Sequence, residues 1–266
     1  MILYKSEKLP KKLEERIIKD SKKDFNPITA YTLVNGNVDG YFYKKINMPK
    51  VRDRYRGDYI QLLIEYYLKL RKLIPCNKLL EIFSDGEDVY EVSDLIDINT
   101  ILCDNNSISF DEMKKLFSKV LDGINRMERN GDNTLGIDSA IWNYTKNGIF
   151  FDYDPPKILG EETLFITPDE DYKQRVLYRN FNYNGMKANT LGTIILGNSN
   201  WNFNITQLSD TYVNDLITIF LESIENIEVR EQFRNQIFGD EDVKTFKKHP
   251  INIVRKELRK WKNLYL

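Results

Sequence analysis

The first hundred residues alternate between helical and strand-like patterns. A short, highly charged helix is predicted from Leu13 to Lys23. From Ile28 onward β-branched and aromatic residues dominate (ITAYTLV), followed by turn residues (NGNVDG) and a second strand-like segment (GYFYKKI). Two such segments around a turn predict a β-hairpin.

A second helix is predicted from about Asp58 to Lys72. Asp58 follows a glycine and is a suitable N-cap, and Pro75 lies just beyond the end of the pattern. Two more strand candidates follow, KLLEIFS and DVYEVSDLI, joined by the turn DGE. The predicted order is therefore helix, two strands, helix, two strands.

The second half of the chain has mainly helical patterns. Ser109 and Glu112 form a capping-box pattern at the start of a helix that runs to about Arg129. A short strand (GIFFDYD) and two prolines follow, and most of the remainder is helical. We therefore predict an α+β fold with two lobes, a β-rich N-terminal lobe (residues 1–97) and a mainly helical C-terminal lobe (residues 98–266).

Composition and charge exclude several classes of protein. The 266 residues are 41% hydrophobic and 30% charged, which is typical of soluble globular proteins, and the net charge of −1 gives no attraction to nucleic acid. The two cysteines are not in a CxxC pair, and the single histidine excludes His-rich metal sites. No signal peptide or apolar run of membrane-spanning length is visible, so we expect a cytoplasmic protein with no nucleic-acid or membrane partner.

Candidate chemistry is concentrated in the stretch LGIDSAIWNYTKNGIFFDYDPP. Asn143 follows Asp138 by five residues, and Asp152 comes directly after an apolar run. Phosphoryl transfer needs a carboxylate near the attacking hydroxyl and hard oxygen ligands that hold magnesium on nucleotide phosphates. These three side chains would supply both. Alternatively, these three side chains are ordinary residues of a loop, a turn and a strand end, because Asp and Asn are common at all three places.

In this order and spacing the stretch resembles the protein-kinase-like superfamily, specifically its small-molecule branch around the aminoglycoside phosphotransferases. The resemblance implies a two-lobed kinase-like fold with ATP and Mg²⁺ as cofactors. It implies Asp138 as the catalytic base, Asn143 as a metal ligand and Asp152 as the main magnesium ligand. The separation of Asn143 and Asp152 is shorter than is usual in the family, so Asp154 is an alternative ligand.

The resemblance extends upstream through the first lobe. The family has a lysine on its third strand and a glutamate on the next helix, which implies Lys44 and Glu65 as a pair that positions the nucleotide phosphates. Phe42 shares a strand face with Lys44 and is expected over the adenine. The segment EVSDLID, with Glu91 and Ser93, is expected to be the hinge that offers backbone groups to adenine.

Three departures from the family keep other functions open, and the short separation of Asn143 and Asp152 is one of them. Gly136 stands where the family usually has a histidine, two residues before the catalytic Asp, and no GxGxxG is present. The predicted function is ATP-dependent transfer of the γ-phosphoryl group to a hydroxyl of a small molecule. The alternatives are a pseudokinase, which binds nucleotide without turnover, and a Ser/Thr protein kinase. Tyr172, Tyr178 and Arg179 either line a substrate pocket or belong to an amphipathic helix.

Overall fold

An antiparallel sheet in the first part of the chain is followed by a mainly helical second part, which confirms the predicted α+β class. The computed structural model describes residues 1–10, 12–22, 32–48, 57–86, 88–102, 108–130, 134–153, 156–158, 179–200 and 210–238. Within these ranges, no helix is both long and apolar enough to span a bilayer.

The sheet has five strands in the order β1-β4-β5-β3-β2, and every neighbouring pair is antiparallel. The strands are β1 (Ile2–Lys5), β2 (Thr32–Val38), β3 (Tyr41–Ile46), β4 (Leu79–Asp85) and β5 (Asp88–Asp94). The edge strand β1, which the sequence patterns do not predict, pairs with β4 so that Tyr4 lies opposite Ile82. The central strand is β5.

The predicted hairpin is formed by β2 and β3, with a shorter turn than expected. Residues 35–38 of the turn-like segment NGNVDG continue strand β2. Only Asp39 and Gly40 form the turn, and both have positive φ angles, 52° and 83°. A two-residue turn with this backbone follows the right-handed twist of the strands, and Asp-Gly is one of the sequences that favour it.

Six α-helices lie within the described residues. They are α1 (Leu13–Asp20), α2 (Tyr59–Leu70), α3 (Phe110–Arg129), α4 (Tyr183–Asn200), α5 (Asp210–Glu222) and α6 (Ile227–Phe238). The predicted capping box at the start of α3 is present, because Ser109 and Glu112 each bond the other's backbone N–H. Asp58 occupies the N-cap position of α2 but makes no side-chain capping bond.

The two faces of the sheet are buried in different cores. One face packs on α1 in a small core, whose buried members are Leu13, Ile17, Val34, Tyr43, Phe83, Tyr90 and Val92. The other face belongs to a large core that includes Ile46 and Ile82 from the sheet, Leu63 from α2 and Phe117 from α3. This large core therefore joins the sheet to the helical part, and the candidate site lies where they meet.

Candidate functional site

The side chain of Lys44 reaches from the sheet to the second part of the chain. Strand alternation places Lys44 on the same face as Ile46, toward the large core. Its side chain is buried, and its Nζ donates to Oδ1 of Asp152 at 3.2 Å. Lys45 points to the other face and pairs with Asp88 at 2.7 Å. A buried ammonium needs a compensating charge, and Asp152 supplies one.

Glu65, the expected partner of Lys44, lies elsewhere. Its side chain is exposed and accepts a hydrogen bond from Nε2 of Gln61, one turn earlier, at 2.7 Å. Helix α2 turns its apolar side, which includes Leu63 and Tyr66, toward the core, so Glu65 falls on the solvent side. The implied Lys44–Glu65 pair is therefore not formed.

Glu91 and Ser93 are not in a hinge but inside the central strand β5. Glu91 lies opposite Lys44, and Ser93 lies opposite Phe42, with β4 on their other side. Both side chains are buried, and their backbones belong to the sheet. The segment after the strand begins only at Leu95, so the expectation that Glu91 and Ser93 offer backbone groups to adenine is wrong. Phe42 is partly buried on the Lys44 face.

Tyr153 covers the buried end of Lys44. The Nζ of Lys44 lies 6.0 Å from the centroid of the Tyr153 ring, which in turn contacts the ring of Tyr67 at 5.1 Å. Burial, and after it the negative charge of Glu91, raises the pKa of the Tyr153 hydroxyl. The face around Lys44 thus carries both carboxylates and aromatic rings.

The residues between Asp138 and Asn143 form a closed turn. The side-chain amide of Asn143 donates to the backbone oxygen of Asp138 at 3.0 Å. Asn143 is buried at the end of a short 3₁₀-helix (Ile141–Asn143), and its Oδ1 takes part in no hydrogen bond among the described residues. The carboxylate of Asp138 is one-quarter exposed (25%) and can therefore be reached by a ligand.

Helix α4 holds this turn in place through hydroxyl groups. Ser139 donates to the backbone oxygen of Met186 at 2.7 Å, and Thr190 donates to the backbone oxygen of Ser139 at 2.8 Å. The backbone N–H of Ile141 donates to the hydroxyl of Thr193 at 2.9 Å. These contacts fix the residues on both sides of Asp138, and nothing in the motif indicated them.

Gly136, the departure from the family pattern, is required by its surroundings. A Cβ at this position would lie 2.2 Å from the backbone oxygen of Asn180, closer than atoms can approach. The backbone oxygen of Gly136 accepts a hydrogen bond from the hydroxyl of Tyr66 at 2.7 Å, and its N–H donates to Lys157 at 2.8 Å. The loop before Asp138 is therefore supported by a tyrosine of α2, which the sequence analysis missed.

The buried hydroxyl of Tyr66 donates to the loop that carries Asp138. Burial raises the pKa of Tyr66 well above its ordinary value, and the negative charges of Asp152 and Asp138 raise it further. The hydroxyl therefore stays protonated and remains a donor to Gly136. Asn143 links the two acids: its side-chain amide donates to the backbone oxygen of Asp138 at 3.0 Å, and its backbone oxygen accepts from the N–H of Phe151, the residue before Asp152, at 3.1 Å.

A tight hairpin explains the short separation of Asn143 and Asp152. The N–H of Phe151 donates to the backbone oxygen of Asn143 at 3.1 Å, and the N–H of Thr145 donates to Ile149 at 2.9 Å. The predicted strand GIFFDYD appears only as isolated bridges of Phe150. Asp152 follows directly, with its side chain about one-third exposed (36%). The alternative ligand Asp154 lies outside the described residues.

Arg179 also contacts this site. Its Nη2 lies 3.7 Å from Oδ2 of Asp138, and its Nε donates to Oδ1 of Asn180 at 3.3 Å. Tyr172 and Tyr178, which were considered with it, lie outside the described residues. Each candidate acid thus has a basic neighbour, Lys44 for Asp152 and Arg179 for Asp138.

Neither a protein-family model nor a curated protein matches this chain. Within the described ranges, no group of three or more His, Cys, Asp or Glu side chains is placed to hold a metal ion. The arrangement of Lys44, Asp138, Asn143 and Asp152 is therefore the main indication of what the chain does.

Proposed function

We propose that this chain is an ATP-dependent phosphotransferase that acts on a hydroxyl group of a small molecule. The observation that carries the proposal is the bond between Lys44 and Asp152, which joins residues 108 positions apart across the junction of the sheet and the helical part. The loop with Asp138 and Asn143 lies beside it, since the backbone oxygen of Asn143 accepts a hydrogen bond from the N–H of Phe151, the residue before Asp152, at 3.1 Å. Catalysis of phosphoryl transfer consists mainly of positioning and charge stabilisation, and this arrangement offers both.

Each side chain has a role that its surroundings allow. The ammonium of Lys44 is fixed by burial and would hold the nucleotide phosphates. The carboxylate of Asp138 is partly exposed on a loop that α4 holds rigidly, so it would orient the acceptor hydroxyl and take its proton.

Asp152 and Asn143 fit the ligand requirements of Mg²⁺. This ion usually takes one or two carboxylates from the protein and fills its other positions with phosphate oxygens and water. A site of this kind needs no third acidic ligand, in agreement with the lack of a larger acidic cluster among the described residues. Asp152 would supply a carboxylate oxygen, and Asn143 its unused Oδ1. When bound, Mg²⁺ would neutralise charge on the phosphates.

A pseudokinase is the second candidate function, and the position of Glu65 favours it. In the resembling family the lysine of the third strand is paired with a glutamate of the next helix. Here Glu65 bonds Gln61 at the surface, while Lys44 bonds the candidate metal ligand itself. A site arranged in this way would bind nucleotide without turnover unless α2 or Lys44 moves when the nucleotide binds.

Neighbouring lysines on opposite faces of β3 allow a matched test of nucleotide binding. With ATP and Mg²⁺ at about 100 times Kd, wild type should gain about 2.7 kcal/mol of stability, seen as a rise in Tm. Lys44→Met should lose most of this rise, because the phosphates lose their cation. Lys45→Met should keep it, because Lys45 pairs with Asp88 on the other face. A wild-type Tm that does not respond to ATP, GTP or ADP with Mg²⁺ would contradict the proposal.

Turnover separates the two candidate functions. Wild type is incubated with γ-labelled ATP and metabolite extracts, with Lys44→Met as the negative control. Label transferred to a small molecule by wild type alone supports the phosphotransferase. Binding of ATP without transfer in several extracts makes the pseudokinase the better assignment.

A further inference from the structure

Arg179 has a guanidinium group that is close to Asp138 but not enclosed. Its Nη2 lies 3.7 Å from the carboxylate oxygen of Asp138, beyond hydrogen-bond distance, and its side chain is 41% exposed. An ion pair at this distance, with both side chains partly exposed, contributes little to stability. The guanidinium is therefore able to exchange Asp138 for another anion at small cost.

The backbone next to Arg179 is fixed to the Asp138 loop. The N–H of Ile137 donates to the backbone oxygen of Asn180 at 2.9 Å, and this same oxygen lies against Gly136. Asn180 is almost fully buried. The base of the Arg179 side chain is therefore rigidly positioned relative to Asp138, and rotation of its exposed end breaks one long hydrogen bond, from Nε to Oδ1 of Asn180 at 3.3 Å.

We infer that Arg179 is a catalytic residue that binds the transferring phosphoryl group. This inference rests on the proposed function. If Asp138 contacts the attacking hydroxyl, the γ-phosphorus must lie within a few ångström of it, and a guanidinium 3.7 Å from the same carboxylate reaches the phosphoryl oxygens by side-chain rotation. Arginine suits this role because its planar group binds phosphate oxygens with two hydrogen bonds.

The step balances without any further reactant. A bond forms between the acceptor oxygen and the γ-phosphorus, and the bond from the γ-phosphorus to the β,γ-bridging oxygen breaks. ADP leaves with the electron pair of that bond, and Asp138 takes the hydroxyl proton. Arg179 exchanges no proton; it stabilises the negative charge on the oxygens of the phosphoryl group in transfer.

The test compares two ligands that differ by the γ-phosphoryl group. Calorimetry with Mg²⁺ measures Kd for ADP and for a non-hydrolysable ATP analogue in wild type, Arg179→Gln and Arg179→Lys. The lost contacts are charge-assisted hydrogen bonds, so Arg179→Gln should raise the Kd of the analogue by roughly tenfold to a hundredfold. It should change the Kd of ADP by less than about twofold, since ADP does not reach Arg179. The Kd of the analogue for Arg179→Lys should lie between the values for wild type and Arg179→Gln.

Arg129→Gln is the matched control, because Arg129 is also exposed and ion-paired, with Glu225, but lies on α3. It should leave both affinities unchanged. If Arg179→Gln raises the Kd of ADP and of the analogue by the same factor, Arg179 acts only through the shape of the site. This result would overturn the inference. Unchanged affinities, or a wild type that binds ADP and the analogue equally, would overturn it too. A wild type that binds neither ligand refutes the proposed function itself.

Discussion

Replacing Tyr66 with Phe tests whether α2 supports the loop that carries Asp138. The change removes one hydroxyl and leaves the backbone oxygen of Gly136 buried without this donor. Leaving a buried acceptor unpaired costs about 1–3 kcal/mol. With an unfolding entropy of about 2.1 cal/mol/K per residue, a chain of 266 residues loses roughly 0.56 kcal/mol per degree near Tm. We therefore expect Tm to fall by about 2–5 °C.

Tyr67→Phe is the matched control for this experiment. Tyr67 is the next residue on the helix, is equally buried, and its hydroxyl accepts a bond from the N–H of Leu79 at 3.0 Å. Both substitutions should lower Tm by similar amounts. Only Tyr66→Phe should also increase amide hydrogen exchange in peptides that cover residues 135–143, measured by mass spectrometry.

Two results would refute the reasoning about Tyr66. A Tm for Tyr66→Phe within about 0.5 °C of wild type would show that the bond to Gly136 contributes nothing. Equal exchange of residues 135–143 in both variants would show that Tyr66 stabilises the fold in general rather than this loop.

Two further predictions concern packing and pH. Gly136→Ala should lower the free energy of unfolding by about 1–3 kcal/mol or more, because its Cβ would overlap the backbone of Asn180. Gly57→Ala is the control: its Cβ would lie in open space and should change stability by under about 0.5 kcal/mol. Thermal melts of the two variants check this, and equal Tm values would contradict it. Among the residues that the structure describes, burial raises the pKa of seven tyrosines above the ordinary value, so the folded chain keeps protons that the unfolded chain loses above pH of about 10. The free energy of unfolding should therefore fall as pH rises past this value, by up to about 1.4 kcal/mol per pH unit for each tyrosine. A Tm that is unchanged between pH of about 9 and about 11 would contradict this prediction. These residues are Tyr43, Tyr66, Tyr67, Tyr90, Tyr144, Tyr153 and Tyr212.

Elements with local signals could be predicted from the sequence. The β2–β3 hairpin, helix α2 and the capping box of α3 are each specified by residues close together in the chain. Strand β1 could not be predicted in this way, because it has four residues and its partner β4 lies almost eighty positions later. Pairing over that distance leaves no local pattern.

The sequence predicts the positions of candidate site residues correctly where strand alternation determines which way a side chain points. The period of two along β3 correctly separated Lys44 from Lys45, and the structure brings Lys44 and Asp152 together. Glu65 was assigned by its place in the middle of a helix, although the helical period of the buried residues places it on the opposite side. The hinge at Glu91 is implied by the resemblance, although Glu91 also lies within the predicted strand segment DVYEVSDLI, which the structure forms as β5.

The contact between Tyr66 and Gly136 left no signal because one partner is a backbone oxygen. Every residue has a backbone oxygen, so the identity of the side chain at position 136 does not reveal the bond. Only the crowding by Asn180 explains why that side chain is absent.

This contact has an evolutionary consequence. In the resembling family a histidine precedes the catalytic aspartate by two residues, whereas here the support for this stretch comes from a helix seventy positions earlier. A side chain at 136 becomes possible only if the backbone at 180 moves away, and a tyrosine at 66 becomes dispensable only if another donor takes its place. Relatives of this chain would accordingly share a tyrosine on the upstream helix and a glycine before the aspartate, and a search for a histidine in the loop would pass over all of them.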